Sequence, residues 1–198
     1  MTKDNIGQSQ TSVWGEKWLG GYSGLKHTAS QIIPFIPKSQ VYVEPFAGLA
    51  RTCDESKHEQ IILNDLSKYS NEYCKQNFPN AVVENMDFET TILKYDSENT
   101  FFLIDPPWRD NIYSKNDLSV LTLKTKQYYE RLFYLLDSIK GKFIICTNEH
   151  STGEKICIRE SKFKYNRIRV ESKDGVIFGK KTHTCLYTNI KEIGQRVT

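Results

Sequence analysis

Short apolar runs alternate with longer, more polar segments through most of the chain. The runs are Val41-Tyr42-Val43-Glu44, Ile61-Ile62-Leu63-Asn64, Ala81-Val82-Val83-Glu84, Phe101-Phe102-Leu103-Ile104 and Lys142-Phe143-Ile144-Ile145-Cys146. Brief stretches rich in β-branched and aromatic residues predict buried strands. Between the last two, residues 124–139 place Tyr128, Leu132, Leu135, Leu136 and Ile139 at helical spacing. A helix-like stretch over residues 27–35 is stopped by Pro34 and Pro37. The rhythm then changes. Residues 165–170 and 184–189 read as strands joined by a hairpin around Gly175 and Gly179, with no helix between them. Five crossover strands followed by an antiparallel pair predict an α/β protein: a mostly parallel seven-stranded sheet, an antiparallel C-terminal hairpin strand at its edge, and helices on both faces. Residues 1–13 are polar and unpatterned and read as a flexible tail, which leaves residues 14–198 as one domain.

Composition narrows the class. The 198 residues are 38% hydrophobic and 26% charged, the balance of a globular chain rather than a disordered one. No apolar run approaches the ~20 residues of a membrane span, and the polar start lacks a signal-peptide core. Cys53, Cys74, Cys146, Cys157 and Cys185 are scattered and form no Cys-x-x-Cys pair. That is the usage of reduced thiols in a cytoplasmic protein. His27, His58, His150 and His183 are never at ligand spacing, so no metal is expected. The net charge of +3 is unevenly spread: residues 1–149 hold 16 Lys/Arg against 19 Asp/Glu, and residues 150–198 hold 11 against 5. A basic C-terminal region suits one phosphate-facing side, although a solvated face rich in lysine has the same composition.

The most specific chemical signal is Asp105-Pro106-Pro107-Trp108, directly after an apolar strand. In open α/β sheets, ligands bind at the carboxyl ends of strands. An aromatic amine is a poor nucleophile because its lone pair is delocalised into the ring. The Asp105 carboxylate and the Pro106 carbonyl, accepting both amine hydrogens, would draw that nitrogen toward a tetrahedral shape. Successive prolines fix φ and preset both acceptors. Trp108 offers a face on which a flipped-out base could stack.

Weaker signals stand at other strand ends. Glu44-Pro45-Phe46-Ala47-Gly48 places a glycine where the backbone can approach a cofactor. Asn64-Asp65 ends the next strand, where an acid can bind ribose hydroxyls or simply cap the following helix. Asp87-Phe88 closes the third strand and offers a carboxylate and a ring face for adenine.

The order Lys17-Trp18…Gly20-Gly21, Glu44-Pro45-Phe46-Ala47-Gly48, Asn64-Asp65, Asp87-Phe88, Asp105-Pro106-Pro107-Trp108 resembles the Dam-like DNA adenine N6-methyltransferases. The closing Thr184-Cys185-Leu186-Tyr187-Thr188-Asn189 is also similar to that family's last strand. The resemblance covers roughly residues 14–190. It implies a Rossmann-like methyltransferase fold with S-adenosyl-L-methionine as donor. It also implies cofactor contacts at Lys17, Trp18, Glu44, Phe46, Gly48, Asp65, Asp87 and Phe88, and a catalytic loop from Asp105 to Trp108.

Two features depart from the family. Ala50 stands where its loop usually carries a second glycine. Only 39 residues separate Asp65 from Asp105, enough for a helix, a strand and a second helix but not for a separate target-recognition domain. Tyr113, Lys115, Lys173, Lys180 and Lys181 are the candidates for touching a nucleic-acid substrate, and a partner subunit would then supply sequence recognition. Trp108, in place of the more usual Tyr, is shared with the mRNA adenosine methyltransferases. RNA adenine, cytosine N4 and a non-catalytic nucleic-acid-binding subunit therefore stand beside DNA adenine as readings.

Overall fold

A computed structural model describes residues 26–107, 126–161, 164–170, 176–177, 180–181, 183–191 and 193. A seven-stranded sheet organises them. Its strands are β1 (Ser39–Glu44), β2 (His58–Asn64), β3 (Val82–Glu84), β4 (Thr100–Ile104), β5 (Lys142–Asn148), β6 (Asn166–Val170) and β9 (Thr184–Thr188). Two short strands, β7 (Val176–Ile177) and β8 (Lys180–Lys181), pair separately as an antiparallel ribbon between β6 and β9. The sheet runs β3-β2-β1-β4-β5-β9-β6. β1 to β5 pair in parallel, with Val43 beside Ile62 on one side and Phe102 on the other. β9 is antiparallel to both neighbours, Leu186 lying between Cys146 and Ile168.

The expected mostly parallel sheet is thus present, with one correction. The antiparallel strand takes an interior place, and β6 forms the edge. Alternating apolar residues specify strands but carry no record of which neighbour each strand chooses.

The strand alternation splits the core into two layers. Val43, Ile62, Phe102, Ile104, Phe143, Ile145 and Tyr187 face one side. There they meet α3 (Phe88–Tyr95), α4 (Lys126–Leu136) and α5 (Thr152–Ser161). Tyr42, Ile61, Leu63, Phe101, Leu103, Ile144 and Leu186 face the other, against α1 (Lys26–Ile32) and α2 (Lys68–Asn77). α4 follows the predicted spacing, burying Tyr128, Leu132, Leu135 and Leu136. α5 is a helix the periodicity did not announce. The crossover from β1 to β2 contains no α-helix: a loop and a 3-10 turn, Glu55–Lys57, carry the chain across. Among the described residues, no helix is long and apolar enough to cross a membrane.

Candidate active site

The parallel strands deliver Glu44, Asn64, Glu84, Ile104 and Asn148 to one end of the sheet, and the site is built from the loops that leave there. The loop after β1 turns sharply. Gly48 has φ +51° and Ala50 has φ +47°, both in the left-handed region. Glycine takes that conformation without cost, whereas alanine pays roughly 1–2 kcal/mol. The position that departs from the family's glycine is therefore one whose backbone geometry favours glycine. Gly48 donates its N–H to Asp65 Oδ2 at 2.9 Å, and Ser67 donates to Asp65 Oδ1 at 2.8 Å. Asp65 therefore ties the glycine loop to the end of β2 and does not serve as the N-cap residue of α2, which is Ser67.

Asn64, fully buried, does more than its sequence position suggested. Its Nδ2 donates to the carbonyls of Pro45 (2.9 Å) and Met86 (3.0 Å), and its Oδ1 accepts from Met86 N–H (2.8 Å). Its own carbonyl accepts from Ala47 N–H at 2.8 Å. One amide thus fixes the loops after β1 and β3. Asn71 and Asn85 both donate to the Asp65 carbonyl, at 2.9 and 2.7 Å. The only signal for this in the sequence is a polar residue closing the apolar run Ile61-Ile62-Leu63.

Glu44 is buried beneath this loop. Tyr42 Oη and Thr52 Oγ1 both donate to its Oε1, at 2.6 and 3.1 Å. Burial pushes its carboxyl up to about 8, with the Asp105 charge adding to the rise and the two hydroxyls opposing it. Phe46 is partly buried and stacks on Phe88 at 5.6 Å, and Phe88 meets Tyr128 edge-on at 4.8 Å. Phe88 is a core residue, 2% exposed, with Phe46 and Tyr128 against its ring, so Phe46 rather than Phe88 keeps an accessible edge. Asp87 caps α3 through Glu89 N–H at 3.0 Å and lies 3.5 Å from the Arg131 guanidinium.

β4 is hydrogen-bonded between β1 and β5, so the Asp105-Pro106-Pro107 turn emerges beside the glycine loop. Asp105 and Pro107 are partly exposed and Pro106 is buried. Tyr129 of α4 donates its hydroxyl to the Pro107 carbonyl at 3.1 Å. That bond leaves the Pro106 carbonyl as the acceptor nearer to Asp105 along the chain. The remaining candidates, Lys17, Trp18, Trp108, Tyr113, Lys115 and Lys173, lie outside the described residues. Lys180 and Lys181 form β8, of which the backbone alone is described.

At the root of that ribbon is an ion network the sequence did not reveal. Glu149 meets Arg169 (2.9 Å) and His183 (2.9 Å), while buried Glu154 takes Arg167 (2.6 Å) and the Tyr187 hydroxyl (3.3 Å). These groups clasp β5, β6 and β9 together at the same end of the sheet as Asp105.

No protein-family model matches the chain, and no curated protein matches it in sequence. Its likeness is to solved structures. A TehB-like SAM-dependent methyltransferase from Corynebacterium glutamicum superposes with TM-score 0.51 at 13% identity, over 82% of this chain and 86% of that one. The N-methyltransferase NodS from Bradyrhizobium japonicum gives TM-score 0.53 at 8% identity, over 81% and 93%. An rRNA methylase from Streptococcus thermophilus gives 0.51 at 8%, over 81% and 92%. At these identities the likeness is one of fold: the chain has the Rossmann-like methyltransferase fold.

Proposed function

We propose that this chain is an S-adenosyl-L-methionine-dependent methyltransferase that modifies an exocyclic ring amine, N6 of adenine in DNA. The observation that carries this reading is the Asp105-Pro106-Pro107 turn at the carboxyl end of central strand β4, next to the left-handed Gly48 loop that Asp65 anchors. The fold of the three structural neighbours supports the donor. So does the cradle itself, since Gly48 takes a conformation suited to close backbone approach and Asp65 stands at a strand end where ribose hydroxyls are bound. Asp65 Oδ2 accepts the Gly48 N–H and Oδ1 accepts the Ser67 N–H, which holds the carboxylate at that strand end.

S-adenosyl-L-methionine would supply an electrophilic sulfonium methyl group; Gly48, Asp65 and Phe46 would hold it. The chain's own part is to present the amine. Asp105 and the Pro106 carbonyl accept its two hydrogens and free the nitrogen lone pair for in-line attack. Positioning supplies much of the acceleration. The methylated nitrogen then sheds its surplus proton to Asp105 or to water, so Asp105 need not be a strong base.

The 39 residues between Asp65 and Asp105 are filled by α2, β3, α3 and β4. Among the described residues, the basic β7–β8 ribbon is the element we assign to the substrate. Phosphate contacts position a protein, while base contacts specify a sequence. Weak sequence preference and strong salt dependence follow, with single-stranded or distorted substrates favoured because the unpairing cost of a few kcal/mol is avoided. The test is incubation with labelled donor and separate duplex DNA, single-stranded DNA and RNA pools at two salt concentrations. Label in N6-methyladenine of DNA is expected. Label confined to RNA, or in N4-methylcytosine, would replace the substrate while keeping the chemistry.

A further inference from the structure

Five arginines lie among the described residues, and four of them turn the Nε edge of the guanidinium onto a carboxylate. Arg131 meets Glu89, Arg159 meets Glu160, Arg167 meets Glu154 and Arg169 meets Glu149. Arg51 is the exception. Its Nε and Nη2 are both buried, and among the described residues neither has a hydrogen-bond partner. These two nitrogens form the side of the guanidinium that presents parallel N–H groups, the geometry that grips a carboxylate with two bonds. Leaving such charged donors out of water and unpaired costs free energy that the other four arginines do not incur. Among the described residues, none supplies an acceptor to this edge.

Its place indicates which anion. Arg51 is three residues beyond Gly48 in the loop after β1, next to Ala50, whose backbone is held left-handed. The same loop is bound to α2 by Cys74 Sγ, 3.6 Å from the Gly48 carbonyl, and the Arg51 charge is felt by neighbouring Tyr73. In the sheet order, β1, β2 and β3 form the side that would hold the donor, whereas Asp105 and the acceptor side begin at β4. Arg51 belongs to the donor side. The residue as a whole is partly exposed, so rotation of its outer side-chain torsions would turn the fork outward without moving the backbone.

We infer that Arg51 is the seat for the α-carboxylate of the donor's amino-acid end, gripping it through Nε and Nη2. This rests on the S-adenosyl-L-methionine reading above and adds a residue that selects donors carrying that carboxylate.

The experiment compares two ligands by calorimetry: S-adenosylhomocysteine, which has the carboxylate, and 5′-methylthioadenosine, which keeps the nucleoside and thioether but lacks the amino-acid end. Arg51→Met is expected to weaken S-adenosylhomocysteine roughly 10- to 100-fold, the worth of a charge-assisted pair, and to leave 5′-methylthioadenosine unchanged. Arg51→Lys, with charge but no fork, should fall between. Equal weakening of both ligands, or of neither, overturns the inference. So does unchanged ligand binding accompanied by weaker, less salt-sensitive DNA binding, which would make Arg51 a phosphate contact. If Arg51→Met does not fold, Arg51→Lys decides: unaltered preference for S-adenosylhomocysteine overturns the proposal. A wild-type protein that binds neither ligand overturns the donor reading itself, and this inference with it.

Discussion

The two sides of the site are made rigid by different means. On the side proposed to hold the donor, loops after β1, β2 and β3 are sewn together by side-chain amides and a carboxylate: Asn64 reaches two loops, Asp65 holds Gly48, and Asn71 and Asn85 close on the Asp65 carbonyl. On the side proposed for the acceptor, the turn after β4 owes its shape to two successive proline rings, with Tyr129 pinning the second carbonyl. Substitution can cut the first kind of rigidity one hydrogen bond at a time. The second is covalent, so changing Asp105 should remove a chemical group and leave its scaffold standing.

The largest effect should therefore be chemical and confined to one side. Asp105→Ala is expected to lower kcat by about 10²–10³-fold, the usual cost of losing one preorganised electrostatic group. Donor affinity should stay within a few fold, read by single-turnover transfer and calorimetry. Near-normal turnover would mean the turn is only a turn.

Asn64→Ala attacks the sewn side. Three hydrogen bonds, one buried and two partly buried, disappear and leave two carbonyls and an N–H without partners, at a cost of about 2–4 kcal/mol in denaturant unfolding. Donor binding should weaken along with stability, the opposite of the pattern for Asp105. A stable Asn64→Ala protein with unaltered donor affinity would show that the stitching is dispensable.

Glu44 gives the donor side a pH signature. Its carboxyl is raised from 4.5 to about 8 in the folded protein by burial. Between those values the unfolded chain is ionised at this position while the folded chain keeps its proton. Stability is thus full below the lower value and is lost as pH rises toward the upper one, with a slope approaching about 1.4 kcal/mol per pH unit. Glu44→Gln keeps an acceptor for Tyr42 and Thr52 but cannot ionise. Denaturant midpoints across this window should fall less steeply for the variant, and parallel curves would refute the assignment.

The smallest difference tests the strained loop. Ala47 and Ala50 are both fully buried, but positive φ is found at Ala50 and not at Ala47. Ala47→Gly should be the more destabilising of the two by about 1 kcal/mol, because glycine relieves the left-handed backbone at position 50. Equal losses in thermal unfolding would remove strain from the account.

β1 to β5 were legible because each carries a compact apolar run, and α4 because its buried residues recur every three or four positions. α5 was not: its buried positions include Gly153, Glu154 and Ser161 beside Ile156 and Cys157, so no apolar stripe marks it. The interior place of β9 depends on partners some 40 residues away. Asn64 acts on Pro45 and Met86, 19 and 22 residues distant, and nothing local to Asn64 records that reach. The reverse holds for Asp105-Pro106-Pro107, where acceptors and rigidity share one short segment. Chemistry carried by contiguous residues could be read, and chemistry assembled by folding could not.

The position of β9 has a consequence for the order in which the molecule can form. β6 is made before β9 but has no neighbour in the sheet until β9 slides between it and β5. If the parallel strands pair before β9 is made, the outer strand of the resulting half-sheet, Phe143-Ile144-Ile145-Cys146, lacks the partner it has in the complete sheet and offers an apolar edge. Such an edge recruits any passing strand, including that of another nascent copy. Closure waits for Thr184–Thr188, and the ribbon of β7 and β8 sets the interval between the edge appearing and being covered. Lengthening that connection would raise the entropic cost of closure only slightly, yet during synthesis it would prolong the time for which the half-sheet stands open.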